Sequence, residues 1–372
     1  MVSISRNNSK SHSMFSNLNT NSPSFRLLLL ALMVLQNSSV VLIGRYTRDS
    51  KSAEELYVVN HLILICEAVK LFLACILEYS VTNGQLLKSI KENVIDAPLD
   101  ALKIIVPSLL YLLQNTLLYV ALSNLSAPLF QVTYQSKLLT TAVVSVIMLQ
   151  RRYSVKQWIC LTALGVGVAV VVLGAQGESK DEGAAVDPDK PEQNMATGLI
   201  SVTTACFSSA LAGVYFEKVL KKPTSDGNQT KAPVSLWMRN IQMAFFSVCI
   251  AIFNNYTNYG ISEADQAKPF AHGFTSWVWT VALLQAGGGL LVAAVIKYAD
   301  NVLKGLATGV SVVTSTMCSM VFFGTPLTMQ FMAGAVIILS SVFFFSNDIP
   351  SGKKKVESNS AEEMKSLSEN KV

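Results

Sequence analysis

The sequence has little charge. Asp, Glu, Lys and Arg make up 14% of its 372 residues, against about a quarter in an ordinary soluble domain. With 51% hydrophobic residues and a mean hydropathy of +0.41, this excludes a soluble globular chain. Histidine is also scarce. His12, His61 and His272 are the three present, and they show no metal-ligand spacing. The six cysteines (Cys66, Cys75, Cys160, Cys206, Cys249 and Cys318) all fall inside apolar runs, and none forms a CxxC. They read as packing residues, which excludes a disulfide framework and leaves no metal centre to expect. Carboxylates are nearly missing from the apolar runs, which have only Glu67, Glu78 and Glu217 in or near them and no DxD within them. A membrane-embedded glycosyltransferase would want acidic metal-binding or acid–base residues there. Rings of like charge or a filter loop, expected of a channel, are absent as well. No catalytic residue and no cofactor is expected.

What the sequence does have is a succession of long apolar runs. They lie at about 25–46, 56–79, 104–122, 125–149, 158–173, 197–220, 236–253, 274–298, 303–323 and 331–346. Each is near the length that crosses about 30 Å of hydrocarbon as a helix. The expected fold class is an all-α polytopic membrane protein of about ten transmembrane helices. Residues 1–24, rich in Ser and Asn with no apolar core, read as a disordered tail rather than a signal peptide. Residues 348–372 read as a charged tail. Residues 176–194 form a loop rich in Asp, Glu, Gly and Pro that separates residues 25–175 from 195–347.

Lys and Arg fall mostly in alternate loops. One set holds Lys88, Lys91, Lys103, Arg151, Arg152, Lys156, Lys218, Lys221, Lys222 and Lys231, while the opposite set holds few. The formal charge of +5 therefore speaks to membrane orientation and not to nucleic acid. Both termini are expected to be cytosolic and the acidic loop lumenal. Five spans on each side of that loop make the halves inverted, a common plan for secondary transporters with the substrate between the halves. Lys137-Leu138-Leu139-Thr140-Thr141 in the fourth span loosely echoes Lys304-Gly305-Leu306-Ala307-Thr308 in the ninth.

Lys137 is the residue that most needs an explanation. It stands near mid-span, where an ammonium costs about 2.5–3.5 kcal/mol on insertion scales. Tyr134, Gln135, Ser136, Thr140 and Thr141 surround it, and Thr133, Lys137 and Thr140 share a helical face. A lysine near a span end would snorkel to the interface, whereas this position favours a polar cavity. Tyr111, Gln114, Asn115 and Tyr119 cluster in the third span, where the amides fit a base edge, a ribose or interhelical glue. Glu67 and Lys70 sit three apart and can pair, as a transport coupling or as a structural bridge. Ser208 to Gly213 is a run of small residues that permits close approach of a helix or a ligand. Gly287-Gly288-Gly289 reads as a hinge or a packing notch. Arg239 opens the seventh span as a site residue or an interfacial anchor, with Asn240 one step deeper.

Four stretches carry a family resemblance: QVTYQSKLLTTA, AGVYFEKVLKK, SLWMRNIQ and GGLLVAAVIKYADNVLKGLATG. They closely resemble the Golgi nucleotide-sugar transporters, in the branch of UDP-galactose, UDP-N-acetylglucosamine and CMP-sialic acid carriers. The likeness runs from roughly Leu27 to Phe345 and omits both tails and the acidic loop. It implies a drug/metabolite-transporter fold in the Golgi membrane that exchanges cytosolic nucleotide sugar for lumenal nucleoside monophosphate. By position, Lys137 and Lys304 match phosphate-contacting lysines, and Tyr111, Asn115, Gly213 and Asn240 match residues lining the nucleotide site. With Gln114, Tyr134, Gln135, Ser209, Asn301 and Thr308 they make up the candidate substrate-binding set. Ala244 and Phe246 depart from the Tyr and Ser of CMP-sialic acid carriers, and Ala210 stands where the family usually has Gly. The expectation is a UDP-sugar/UMP antiporter for UDP-N-acetylglucosamine and/or UDP-galactose; the alternatives are a CMP-sialic acid/CMP exchanger or, from another class, the embedded glycosyltransferase. The expected partners are nucleotide sugar, nucleoside monophosphate and the lipid bilayer. A homodimer or an association with glycosyltransferases stays open.

Overall fold

The structure is a computed structural model that describes residues 22–48, 55–125, 127–177, 194–221, 224–226, 229–231, 234–257, 263–324 and 328–347. The two terminal tails and most of the acidic loop lie outside the described residues. Among the described residues, ten long segments are helical: α1 (Pro23–Tyr46), α2 (Val59–Val81), α5 (Ile105–Asn124), the pair α6 (Ala127–Tyr134) and α7 (Ser136–Leu149), α8 (Val155–Gly177), α9 (Met195–Lys221), α10 (Leu236–Tyr256), α12 (Ser276–Tyr298), α13 (Asn301–Phe323) and α14 (Met329–Asn347). Among the described residues, nine helical stretches are long and apolar enough to cross a membrane. The 23-residue α2 packs along α10 and α12 and makes a tenth of spanning length. The chain is a multi-pass membrane protein.

Local chemistry sets the helix ends. Ser22 caps α1 by accepting from the Phe25 amide at 3.2 Å, and Pro23 opens the first turn, where its missing N–H costs nothing. Ser235 caps α10 through the amides of Trp237 and Met238. Asp300 caps α13 by accepting from Leu303 at 2.6 Å, and Gly324 ends it in the left-handed conformation at φ 64°. Inside the spans, hydroxyls satisfy themselves on their own helix. Thr140 donates to the Ser136 carbonyl and Ser145 to that of Thr141.

Three features depart from the reading of ten uninterrupted spans. The fourth span is broken at Gln135 into α6 and α7. A run of short helices, α3 (Leu86–Ile90), a π-helical turn at Lys91–Ile95 and α4 (Pro98–Leu102), connects α2 to α5, and α11 (Glu263–Gln266) connects α10 to α12. Thr224–Asp226 and Gln229–Lys231 form a two-stranded antiparallel ribbon, β1 and β2, between α9 and α10.

The helices pack in related pairs. α5 lies along α9 as α1 lies along α12; α7 lies on α9 as α13 lies on α1; α8 pairs with α14 and α2 with α10. Gly167 and Gly334 bring α8 and α14 together so closely that a Cβ on Gly334 would stand 2.7 Å from the Gly167 carbonyl oxygen. In lipid, where apolar burial gives helices no reason to associate, such close packing of small residues replaces it. Gly288 and Gly289 are notches: Gln36 fills the first and the Lys70 stem the second. Lys70 also pairs with Glu67.

Polar ties close the two ends of the bundle. At one end Glu217, fully buried, accepts from Arg151 and from Lys221 at 2.6 Å, and its other oxygen accepts from the Asn301 amide at 3.2 Å. Asp300 faces Arg151 at 3.4 Å. Burial disfavours the Arg151 charge, but the carboxylates of Asp300 and Glu217 outweigh it and hold its pKa above the usual guanidinium value. Arg239 belongs to the same end. Only 3% exposed, it pairs with Asp100 at 2.5 Å, so it is a buried structural cation rather than an interfacial anchor. At the opposite end Arg45 donates to Ser319 and lies over the Phe323 ring, and Asn255 spends its amide on the carbonyls of Asn60 and Ala251.

Candidate functional site

A cavity of about 220 Å³ lies where α7, α8, α9 and α13 meet. Lys137 and Lys304 both line it, 167 positions apart in sequence. The Lys137 ammonium accepts no help from a carboxylate. It donates to the Tyr134 hydroxyl at 3.0 Å and stands 5.2 Å from the centre of that ring. Among the described residues neither lysine forms an ion pair. The rest of the lining is Gln135, Leu138, Thr141, Val168, Ser209, Asn301, Gly305, Thr308, Gly309 and Val312, without an acidic residue.

The lining repeats itself. α6 and α7 present Tyr134, Lys137, Leu138 and Thr141, and α13 presents Asn301, Lys304, Gly305 and Thr308, at the same four offsets. On each helix this is a stripe of spacing three and four, hence one face. Asn301 is held there from two directions. Its backbone amide donates to Glu217, and its side chain fills a notch over Gly213, where a Cβ would stand 2.5 Å from the Asn301 amide nitrogen. The Asn301 side-chain oxygen is buried and has no partner, so it is free to accept from a bound group.

Seven of the twelve residues expected at a site therefore meet in one cavity: Lys137, Lys304, Tyr134, Gln135, Ser209, Asn301 and Thr308. Tyr111 and Asn115 line a second cavity of about 420 Å³ between α2, α5 and α10, with Glu67, Asn60, Ser247 and Asn254. Gln114 is buried with its side-chain oxygen unpartnered. Asn240 is buried and donates to the Leu236 carbonyl at 2.9 Å. Gly213 is in contact with Asn301. Thr133, Thr140 and Thr141, expected beside Lys137, all donate to carbonyls of their own helix, and of the two α7 threonines it is Thr141 that lines the cavity. The side chain of Tyr119 lies outside the described residues. Gly305, Gly309 and Val312 escaped sequence reasoning, although their spacing from Asn301 and Thr308 would have placed them on the same face.

A cavity in a multi-pass bundle with two cations and no carboxylate is built for an anion. The profile of nucleotide-sugar transporters matches residues 21–346. The chain belongs to the nucleotide-sugar transporter family. Curated relatives agree. A UDP-N-acetylglucosamine transporter of Canis lupus familiaris is 38% identical over 331 residues, covering 88% of this chain and 97% of the relative. The UDP-N-acetylglucosamine transporter of Homo sapiens is 39% identical over 325 residues, 86% of this chain and 94% of the relative. A UDP-galactose translocator of Mus musculus is 40% identical over 329 residues, 88% of this chain and 79% of the relative. A solved structure described only as a crystal structure of a protein superposes with a TM-score of 0.57 at 12% identity, over 87% of this chain and 96% of that one, and shows the fold alone. This nucleotide-sugar transporter is thus a transporter and not an enzyme.

Proposed function

We propose that the protein is a Golgi antiporter that brings a UDP-sugar, UDP-N-acetylglucosamine and/or UDP-galactose, into the lumen in exchange for UMP by alternating access. The observation that carries this reading is the pairing of Lys137 and Lys304 in one cavity without a carboxylate. A diphosphate ester carries about two negative charges, and UMP carries nearly two above its second phosphate pKa of about 6. Two lysines match either ligand. Empty, the cavity holds two uncompensated cations in a poor dielectric, a costly arrangement to carry through a closed intermediate. Loaded with either anion it is neutralised. Exchange without net leak follows from charge alone.

Lys137 and Lys304 hold phosphate in this reading, and Tyr134, Gln135, Ser209, Asn301 and Thr308 bond the groups around it. Tyr111, Gln114, Asn115, Gly213 and Asn240 complete the nucleotide-contacting set by likeness to the family. Ala244 and Phe246, which depart from the Tyr and Ser of CMP-sialic acid carriers, favour uracil nucleotides by likeness to the UDP-sugar branches. Relatives named for both UDP-sugars lie at 38–40% identity, so both sugars enter the proposal.

The repeated lining offsets and the paired packing support two inverted five-helix halves, residues 25–175 and 195–347, joined by a lumenal acidic loop with both termini cytosolic. The two halves are also unequally closed. α2 packs along α12, whereas α5 and α10 meet loosely around the larger cavity. Such a difference between equivalent pairs is what an alternating carrier caught facing one side should have. Proteoliposomes preloaded with UMP should take up labelled UDP-sugar, and empty or CMP-loaded vesicles should not. Uptake independent of internal UMP, or better competition by CMP than by UMP, overturns the proposal.

A further inference from the structure

The connection from α2 to α5 is built like a membrane-binding element, and its last part, α4, runs on into α5 within one apolar stretch, Pro98–Leu122, that is long enough to cross a membrane. α3, the π-helical turn and α4 follow one another from Leu86 to Leu102. Their inner face packs on the protein: Leu86, Ile90 and Val94 lie against the cluster of Ala74, Met238, Ile241 and Leu290. Their outer face carries Leu87, Ile95, Leu99 and Leu102, which are 83%, 67%, 78% and 50% exposed. The π-helical turn and the break at Ala97 interrupt the α-helical period, so it is their common exposure and not their spacing that joins these residues in one outward stripe. The segment begins and ends at spanning helices, and the neighbouring turns leave Tyr79, Val81, Val106 and Leu109 uncovered as well. The stripe therefore continues the lipid-facing surface of α2 and α5. Lys88, Lys91 and Lys103 are spread along it together with Glu92, Asp96 and Asp100. Lys88 faces Glu92 at 3.9 Å and Lys103 pairs with Asp100 at 2.9 Å, while Lys91 forms no ion pair among the described residues, and its stem can lie on acyl chains as its ammonium reaches a phosphate.

We propose that residues 86–103 are an interfacial membrane anchor, with the Leu87–Ile95–Leu99–Leu102 stripe seated at the headgroup–acyl boundary of the adjacent leaflet. The occupant is the bilayer, because the stripe is continuous with the transmembrane surface rather than framed as a closed patch. The anchor is tied to α10. Ser89 donates to buried Glu78, which also accepts from the Ser235 cap of α10. Gln242 donates to the Asn93 carbonyl at 3.1 Å, and Arg239 pairs with Asp100. Arg239 and Gln242 bracket Asn240, so the seating of this segment on lipid sets the first turns of the helix that carries that residue.

Photolabelling of the full chain in phosphatidylcholine vesicles tests this. One probe lipid carries a diazirine near the glycerol and another at the terminal methyl of the acyl chain. Trypsin, cutting after Lys91 and Lys103, isolates residues 92–103. The glycerol-proximal probe should label Ile95, Leu99 or Leu102 several-fold more than the terminal probe. The uncovered mid-span residue Val336 should show the reverse ratio. Absence of adducts from residues 92–103 while Val336 is labelled overturns the proposal. So does an equal yield from the two probes. Photo-crosslinks from a leucine analogue, photo-leucine, incorporated at Leu99 and captured by a second copy of the chain instead of by lipid, would assign the stripe to an oligomer interface and also overturn it.

Discussion

At the residue scale the proposed chemistry rests on two lysines that form no ion pair among the described residues and share a cavity whose lining has no acidic residue. Removing Lys137 deletes a cation whose place in the span opposes insertion and whose proposed partner is a bound phosphate. Lys137→Ala should therefore keep the fold and lose about 3–5 kcal/mol of nucleotide binding, the usual cost of breaking a buried pair. That is roughly a hundredfold or more in affinity, read as UMP binding to the purified protein. Lys137→Arg should not fully rescue it, since a planar fork does not replace a compact ammonium beside Tyr134. Lys304 opens α13, near the helix end, but it lines the same cavity. Lys304→Ala should weaken binding too, and the double variant should fall short of the sum if both ammonium groups hold one phosphate. Wild-type UMP affinity in Lys137→Ala would make this lysine structural. Gly213→Ala gives a finer test. Its Cβ must displace the Asn301 amide, an overpacking cost of about 1–3 kcal/mol. If Asn301 holds nucleotide, most of that cost should appear as weaker UMP binding. A drop in melting temperature with unchanged affinity would put Asn301 outside the site.

At the scale of elements, Glu217 ties the α7–α8 connection, α9 and the start of α13 to each other. Its carboxylate accepts from Arg151, Lys221 and the Asn301 amide while wholly excluded from water. Glu217→Gln leaves two cations facing a neutral amide. The expected loss is about 3–5 kcal/mol of stability, seen as a lower melting temperature in detergent, together with weaker UMP binding because Asn301 and Lys304 lose their fixed starting point. An unchanged melting temperature would mean that Asp300 alone holds Arg151. The broken helix α6–α7 places Gln135 and Lys137 at an interruption of the backbone ladder. An interruption is tolerated at membrane depth where it lines a cavity, and this one does.

At the scale of the whole molecule, the related helix pairs and the repeated lining offsets support the proposed pair of equivalent halves. The orientation of those halves is open to direct test. In sealed vesicles, tags at both termini should be accessible from the cytosolic face, and one inserted in the acidic loop after Gly177 should be protected. A cytosol-accessible loop would break the inverted arrangement. Under the proposed exchange, UMP trapped inside the same vesicles should accelerate uptake of UDP-sugar, because an empty carrier would have to move two unneutralised ammonium groups through a closed state.

The sequence alone determined the spans, because lipid cannot solvate an unpaired peptide group and every long apolar run must become a helix that satisfies its own backbone. It also pointed to Lys137, since a mid-span ammonium is too costly to be incidental. The family was legible in four motifs, and the chain's membership rests on the family match over residues 21–346 and on relatives such as the one 38% identical over 331 residues. What the sequence could not decide was which distant groups meet. Local spacing assigns faces, but the partner of a face is fixed by packing between helices. Only the tertiary structure brought Lys304 into the cavity of Lys137, seated Asn301 over Gly213 and gave Arg239 its Asp100. The same holds for the connection at residues 86–103. Its polarity is that of a loop, and packing of Leu86, Ile90 and Val94 against the bundle is what turns its other apolar residues outward in one stripe.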